Sequence, residues 1–247
     1  MKVSMKKSVK TFLAIMFSAI LALGTFSVAI AAGLNVDEAG GNVDEIIFGA
    51  QTKEDGYIGT AMPDSIESSS EEDYYIETAE EFDNFYAISK ANNFAGITVH
   101  LAANISVDAD FDGIGSVEVP FAGTFNGHGY AITKMNSANG LFVAVNGATI
   151  QKLVIGSAKS NTGILAGTAN NVTVEKVVIS RSKVTAETNV GGMFGSVEGN
   201  SSISDSTVRR LVINTTGEAA GFAVSGATMN NCVVVNSYLK GAFVNGN

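Results

Sequence analysis

The segment Pro120-Phe121-Ala122-Gly123-Thr124-Phe125-Asn126-Gly127-His128-Gly129-Tyr130-Ala131-Ile132 joins two extended apolar runs through a tight turn. The Asn126-Gly127 and His128-Gly129 pairs supply residues that tolerate a positive φ, so the turn forms at little steric cost. Taken alone, this segment is equally compatible with an ordinary β-hairpin. The rest of the chain favours a repeat structure over an isolated hairpin, because a glycine-led apolar unit recurs after the turn.

Five such units follow, and they begin at Gly140, Gly163, Gly192, Gly221 and Gly241, with spacings of 23, 29, 29 and 20 residues. Internal repeats in this range are typical of stacked coils or blades. The unequal spacing disfavours a propeller, whose blades repeat more regularly at about 40 residues or longer. We therefore expect each unit to form one coil that buries its face on the next.

A second apolar piece follows a polar turn within most units. These pieces are Thr149–Ile155, Val172–Ile179, Ile203–Val208 and Val233–Val235. They are short, β-branched and bounded by Gly, Asn, Ser and Thr, which is typical of strands. No long stretch here has helical apolar spacing, which disfavours βαβ crossovers. The sequence thus predicts an all-β chain, a right-handed parallel β-helix with a short N-terminal α/β cap.

Phenylalanines recur next to the leading glycines, at Phe142, Phe194 and Phe222, and Phe125 precedes them in the first turn. Side chains at the same position in successive coils stack inside a solenoid, so we expect these rings to be buried. The alternative is that they line an external sugar-binding groove. Their alternation with small or aliphatic residues favours the interior.

The motifs resemble those of a known family of bacterial cell-surface proteins, those with GLUG-motif β-helix repeats. The resemblance covers roughly residues 74–247. The repeats match the Gly-Leu-x-Gly motif unequally: Gly192-Met193-Phe194-Gly195 approaches it closely, whereas Gly140-Leu141-Phe142-Val143 lacks the second glycine. These departures from the motif leave the repeat boundaries open. The motifs that carry it are Phe121-x-Gly-x-Phe125-Asn-Gly-x-Gly-x-x-Ile132, then Gly140-Leu-Phe142, then Ala148-Thr-Ile150-x-x-Leu153. The resemblance implies an extracellular module that is often part of a longer protein, and it supplies no catalytic residues.

The N-terminus is typical of a targeting segment. Four lysines precede an apolar run, and Ala29-Ile30-Ala31 offers a small-x-small cleavage site, so residues 1–31 are predicted to be a signal peptide. An uncleaved membrane anchor is the alternative. After cleavage we expect no stable membrane span, and a secreted or cell-surface protein.

Residues 32–73 are rich in Gly, Ser, Asp and Glu, which predicts an acidic flexible leader. Residues 74–119 are predicted to form the N-terminal cap, with a helix at about 79–92 that opens with the capping box Thr78-Ala-Glu-Glu81. We expect the helix to cover the first coil, although a partner-binding surface is the alternative. Residues 120–247 are assigned to the β-helix, and since a repeat begins just before Asn247, we expect a truncated or partial chain.

Charge and cysteine content narrow the function classes. The chain has a net charge of −9, with −17 over residues 33–120 and +4 over residues 121–247. The acidic half argues against nucleic acid as a partner, and the positive balance of the second half is diffuse.

A single cysteine, Cys232, cannot form an internal disulfide, and its apolar surroundings predict a buried side chain rather than a reactive thiol.

Asp108, Asp110 and Asp112 are followed by Gly113 and match the first six positions of a calcium loop. The match then fails, because the twelfth position is Val119 and no helix is expected to follow. An acidic surface loop is the alternative. Any calcium binding should fall in the weak extracellular range of ~0.1–1 mM.

Enzyme signatures are sparse. The chain contains only two histidines, His100 in a predicted strand and His128 in a turn. It therefore offers few residues for a histidine-based metal site or catalytic triad. Glu175 and Asp205 fall at related places in their repeats, but a solvated ladder explains them. Arg181, Arg209 and Arg210 are likewise interpreted as surface cations. We predict no catalytic residues and no cofactor apart from weak calcium.

Two functional hypotheses remain. The first is a non-enzymatic, adhesin-like surface module that binds an extracellular glycan or a host or community protein through its solenoid face. The alternative is a polysaccharide lyase or glycoside hydrolase on the same scaffold, which would need convergent carboxylates.

Overall fold

Short strands that pair in parallel dominate the computed structural model, which describes residues 60–66, 73–107 and 111–243. They stack in successive coils, which confirms the predicted all-β parallel solenoid. The predicted signal peptide and most of the predicted leader lie outside the described residues.

The described strands and the single described helix are short elements that follow one another along the chain. They are β1 (Thr60–Ala61), β2 (Asp73–Ile76), α1 (Ala79–Ser89), β3 (Thr98–Leu101), β4 (Ile105–Ser106), β5 (Thr124–Asn126), β6 (Ala131–Thr133), β7 (Asn136–Ser137), β8 (Phe142–Asn146), β9 (Thr149–Gln151), β10 (Val154–Gly156), β11 (Lys159–Ser160), β12 (Ala166–Asn170), β13 (Thr173–Glu175), β14 (Val178–Ser180), β15 (Lys183–Ala186), β16 (Val190–Gly191), β17 (Phe194–Glu198), β18 (Ser201–Ser204), β19 (Thr207–Arg209), β20 (Val212–Ala220), β21 (Ala227–Asn230), β22 (Val233–Val235) and β23 (Tyr238–Phe243).

These strands form four parallel sheets that run along the solenoid. Sheet I has the order β1-β2-β3-β5-β9-β13-β18-β21, and sheet II has the order β22-β19-β14-β10-β6-β4. Sheet III has the order β16-β20-β15-β11-β7, with β23 also paired to β20, and sheet IV has the order β17-β12-β8. The chain visits sheets IV, I, II and III in turn before the next coil begins.

The turn at residues 126–129 is a corner between sheets and not a hairpin. β5 pairs with β3 and β9, whereas β6 pairs with β4 and β10. His128 has a φ of 49° and Gly129 a φ of 86°, as the glycine-rich sequence allows. The coil that follows β9 is 24 residues long (Thr149 to Thr173), and the next is 29 (Thr173 to Ser202).

Three of the predicted apolar pieces are each two strands, because a residue with positive φ turns the chain in the middle. These residues are Lys152, Lys176 and Asp205, with φ of 50°, 55° and 49°. A second corner column, between sheets II and III, consists of Lys134, Ser157, Arg181, Arg210 and Asn236. Such corners were not visible in the sequence, since lysine and arginine rarely adopt this conformation.

The leading glycines stack on one another in four coils. A Cβ at Gly140 would overlap the Gly163 carbonyl oxygen, and one at Gly192 would overlap that of Gly221. Gly241 does not continue this column, because its neighbours Lys240 and Ala242 pair with Asn214 and Glu218 in β20. The interpretation of Gly241 as the start of a fifth equivalent unit was therefore wrong.

The core consists of columns of apolar side chains inside the coils. Phe125, Phe142, Phe194 and Phe222 are at most 4% exposed, so the prediction that these rings face inward is confirmed. In the last described coil, Val234 occupies the same column as the buried Val208 but is 43% exposed.

Helix α1 begins with the capping box expected from the sequence. The Thr78 side chain accepts a hydrogen bond from the Glu81 amide, and the Glu81 carboxylate accepts one from the Thr78 amide at 2.9 Å. Phe82 and Phe85 are fully buried, and the Phe85 ring centroid lies 5.8 Å from that of Phe125. The helix thus packs on the core of the first coils, while β2 and β3 continue sheet I.

Candidate ligand-binding groove

The outer face of sheet III carries exposed polar and charged side chains. Its strands alternate, so that Ser160 and Val184 point inward and are buried, while Lys159 and Lys183 point outward and are exposed. An open groove of about 340 Å³ lies on this face. It is lined by Asn136, Ser137, Ala138, Lys159, Ser160, Asn161, Lys183 and Thr185.

Lys159 and Lys183 are paired directly across neighbouring strands β11 and β15. Like charges directly opposite each other in a sheet are destabilising. Within the described parts of the chain, no carboxylate lies within ion-pair distance of either ammonium group. The groove therefore holds two cations and no acid, in a chain whose net charge is −9.

More cations lie along the edge of this groove. Lys134, Arg181 and Arg210 are exposed and occupy the corner column where the chain passes from sheet II to sheet III. The sequence showed only a diffuse positive balance in residues 121–247. The coil length of 24 residues between Lys159 and Lys183 is what brings the groove cations together.

The two histidines meet, although nothing in the sequence assigned them to a common site. His100 Nδ1 lies 2.8 Å from His128 Nε2, and the two side chains belong to adjacent coils. Asp73 Oδ1 lies 3.7 Å from His100 Nε2. The Asn126 side chain accepts a hydrogen bond from the His128 amide at 3.1 Å and so supports the positive φ of His128.

Burial keeps both imidazoles neutral at physiological pH. Desolvation lowers the pKa of His100, although the Asp73 carboxylate works in the opposite direction. Desolvation lowers the pKa of His128 to about 4, with further contributions from His100 and the Lys152 ammonium. His100 and His128 are 8% and 9% exposed, and the contact between their rings joins two adjacent coils. We call this pair the histidine clasp.

The predicted calcium loop lies partly outside the described residues, because Asp108 and Asp110 are not among them. Asp112 is described, and its carboxylate accepts hydrogen bonds from the Tyr86 hydroxyl at 2.7 Å and from Lys90 Nζ at 3.1 Å. These contacts, led by the one from Tyr86, lower the pKa of Asp112, and burial and this hydrogen bond raise the pKa of Tyr86 to about 12. Calcium binding stays a prediction.

Lys90 is a residue whose role sequence reasoning missed. Besides Asp112, its ammonium donates hydrogen bonds to the carbonyl oxygens of Gly113 and Gly115, at 2.7 and 3.0 Å. Its position directly after α1 was the only signal that the sequence offered. The ammonium group thus supplies a cation to the described end of this loop.

The other candidate residues remain dispersed. Glu175 is paired with Lys176, and Asp205 accepts a hydrogen bond from the Asn231 side chain at 2.6 Å. Across the described ranges, no three His, Cys, Asp or Glu side chains come close enough to hold a metal ion. Those ranges also contain no helix that is long and apolar enough to cross a membrane.

Cys232 is partly buried, and desolvation raises the pKa of its thiol. Its Sγ lies 3.4 Å from the Asn230 carbonyl oxygen, two residues earlier. Ser206 makes the same contact to Ser204 one coil earlier, at 2.8 Å. The cysteine therefore occupies a corner position that serine fills elsewhere.

Comparison with known proteins gives one distant likeness. Over 162 residues, or 61% of this chain, the sequence is 32% identical to the immunoglobulin A1 protease of Streptococcus pneumoniae serotype 4. The chain spans only 8% of the length of that protein. No protein-family model matches the sequence. No solved structure matches the chain.

Proposed function

We propose that this chain is an extracellular, non-enzymatic β-helix module that binds a glycan through the sheet III groove. The observation that carries the proposal is the groove itself, a polar depression of about 340 Å³ on the outer face of sheet III. Long, flat solenoid faces are suited to extended partners, because each coil repeats the same presentation of side chains. The predicted signal peptide and the distant likeness to a bacterial protease support an exported bacterial protein.

The lining favours a hydroxylated ligand over an apolar one. Five of the eight lining residues are polar or charged and exposed: Asn136, Lys159, Asn161, Lys183 and Thr185. Ser137 and Ser160 also line the groove but are only 4% exposed. Amide, hydroxyl and ammonium groups can donate to and accept from sugar hydroxyls, whereas an apolar ligand would gain little from them. The geometry therefore supports glycan binding more directly than it supports a hydrophobic protein interface.

A blocking variant tests the groove without assuming the charge of the ligand. Ala138 is exposed within the groove, so Ala138→Trp should fill part of it and reduce binding to any glycan that uses it. Thr168 is also exposed, on sheet IV, and Thr168→Trp is the matched control. We expect Ala138→Trp alone to lower binding in a screen of immobilised neutral and acidic polysaccharides.

The alternative function, a polysaccharide lyase or hydrolase, is tested with the same proteins. Incubation with each bound polysaccharide, followed by measurement of new reducing ends and of unsaturated products, detects cleavage by either mechanism. We expect retention without depolymerisation. Steady product release that is lost in a groove variant would replace the binding module by an enzyme.

A further inference from the structure

We infer that the sheet III groove binds an anionic polysaccharide, one that carries carboxylate or sulfate groups along its length. This inference rests on the proposed function and adds the charge of the ligand. It is carried by the placement of Lys159 and Lys183, which the sequence alone did not bring together.

The first argument is the uncompensated pair of cations. Lys159 and Lys183 are directly paired on adjacent strands, whose backbones lie about 4.8 Å apart in a sheet. Among the described residues, no carboxylate lies within ion-pair distance of either ammonium group. An anion between the two ammonium groups would be attracted to both of them and would offset the repulsion between them. Both effects would stabilise the bound state.

The second argument is the chemistry around the lysines. Asn136 is paired with Lys159 on the next strand, and Asn161 and Thr185 line the same groove. Their amide and hydroxyl groups provide neutral hydrogen-bonding partners beside the cations. A ligand that presents both anionic groups and hydroxyls satisfies this set, and an acidic sugar does so.

The third argument is the direction of the positive strip. Lys159 and Lys183 follow one another along the solenoid axis, and the exposed corner residues Lys134, Arg181 and Arg210 run parallel to them. A linear polymer laid along the axis would meet one coil after another.

The test measures binding of the purified full chain to three probes: polygalacturonate, heparin and neutral dextran. The variants are Lys159→Gln, Lys183→Gln and the double change, with Lys183→Arg as a conservative variant. Lys176→Gln is the control for the loss of one positive charge, since Lys176 lies at a corner outside the groove, beside Glu175. Circular dichroism and thermal unfolding establish that every variant keeps its fold.

We expect polygalacturonate or heparin to bind and dextran not to bind. Each single glutamine variant should weaken binding about tenfold, as expected for the loss of one charge-assisted hydrogen bond. The double variant should abolish binding, and Lys183→Arg should retain it. The slope of log Kd against log salt should fall by about one for each lysine removed, because each released counterion contributes to it.

The two anionic probes separate the two chemistries, since polygalacturonate offers only carboxylates and heparin is densely sulfated. Suppose that Ala138→Trp reduces binding of a glycan and both glutamine variants leave that binding unchanged. The groove would then be a glycan-binding site, but the inference that its ligand is anionic would be wrong. If neither Ala138→Trp nor the glutamine variants affect binding, both the anionic ligand and the proposed glycan-binding function of the groove are wrong. Equally tight, lysine-dependent binding of oligo(dT) would also overturn the inference, because the groove would then recognise charge without sugar.

Discussion

Single serines at the corners of the solenoid satisfy backbone groups that the turns leave unpaired. Ser206 is fully buried, and its hydroxyl accepts a hydrogen bond from the Val177 amide and donates one to the Ser204 carbonyl oxygen. Ser182 and Ser237 repeat this arrangement at the second corner. A buried amide without an acceptor costs ~1–3 kcal/mol, so these serines belong to the fold and not to a surface.

Cys232 is explained by the same pattern. It follows Asn231 at the corner, as Ser206 follows Asp205 one coil earlier. A thiol is a small side chain and a weak donor, which suits a corner at the less buried end of the solenoid. The sequence predicted a buried side chain, whereas Cys232 is only partly buried because the corner lies at the less buried end of the solenoid. Desolvation still raises the pKa of the thiol, which lowers the fraction present as thiolate at neutral pH.

The histidine clasp predicts a loss of stability in mild acid. The folded-state pKa of His128 lies near 4, below the unfolded value of about 6.5, so the unfolded chain binds protons more readily. The contribution of His128 is therefore complete above about pH 6.5 and is lost progressively as the pH falls from about 6.5 to about 4, by roughly 2–3 kcal/mol after allowance for solvent screening. Urea unfolding at pH 7.0, 5.5 and 4.5 measures this decline.

The matched variant for the clasp is His128→Asn. Asparagine tolerates the positive φ of this corner, so the backbone is kept while the titrating ring is removed. The variant should lose less stability than the wild type between pH 7.0 and 4.5. Identical declines in the two proteins would show that other groups, such as the carboxylates, control the acid response. Asp112 acts below this window, because its lowered pKa preserves its contribution until the pH falls further.

At the scale of elements, the glycine column controls how closely successive coils approach. We expect Gly163→Ala to destabilise the protein by roughly 2–3 kcal/mol, because the new Cβ would overlap the Met193 carbonyl oxygen and the Phe194 Cα. Gly156→Ala is the control, since its Cβ would meet only Thr133 Cγ2, at 3.6 Å. That change should be neutral or stabilising by ~0.4–1 kcal/mol. Urea unfolding of both variants tests the contrast, and similar midpoints would contradict it.

Strand content and coil stacking followed from the sequence, whereas the corners did not. Thr149–Ile155 is continuously strand-like in composition, yet the chain turns at Lys152 because its backbone pairs with neighbouring coils on two different sheets. The positive φ there costs ~1–2 kcal/mol, which the ladder hydrogen bonds on both sides offset. Nothing local distinguishes Lys152 from an ordinary strand residue, so this conformation is imposed by tertiary pairing.

The candidate groove was beyond sequence reasoning for a related reason. Lys159 and Lys183 meet because one coil is 24 residues long, whereas the glycine-led units suggested spacings of 20 to 29. A shift of one residue would have turned one lysine toward the core. The histidine pair depended on the same information, since His100 and His128 are 28 residues apart. The residue pattern predicted the architecture, whereas the strand register determined the sites.

At the scale of the whole molecule, a solenoid should lose its structure locally before it unfolds as a unit. Each coil contacts mainly its neighbours, so stability is close to a sum over adjacent pairs. Phe194 is 1% exposed, and its backbone pairs with Ala166 in the preceding coil. Truncation to alanine should cost ~3–5 kcal/mol through lost burial and the cavity that remains.

The expected outcome for Phe194→Ala is a graded loss of amide protection, measured by hydrogen exchange. Strands β12 and β17 should exchange faster, and so should β16 and β20 of the adjoining sheet, because the cavity opens between these coils. Helix α1 should keep its protection, since Phe85 packs on Phe94, Phe121 and Phe125 at the other end of the solenoid. Uniform loss of protection, α1 included, would mean that the coils unfold as one cooperative unit. In that case any ligand bound at sheet III would stabilise the N-terminal helix as strongly as the coils it touches.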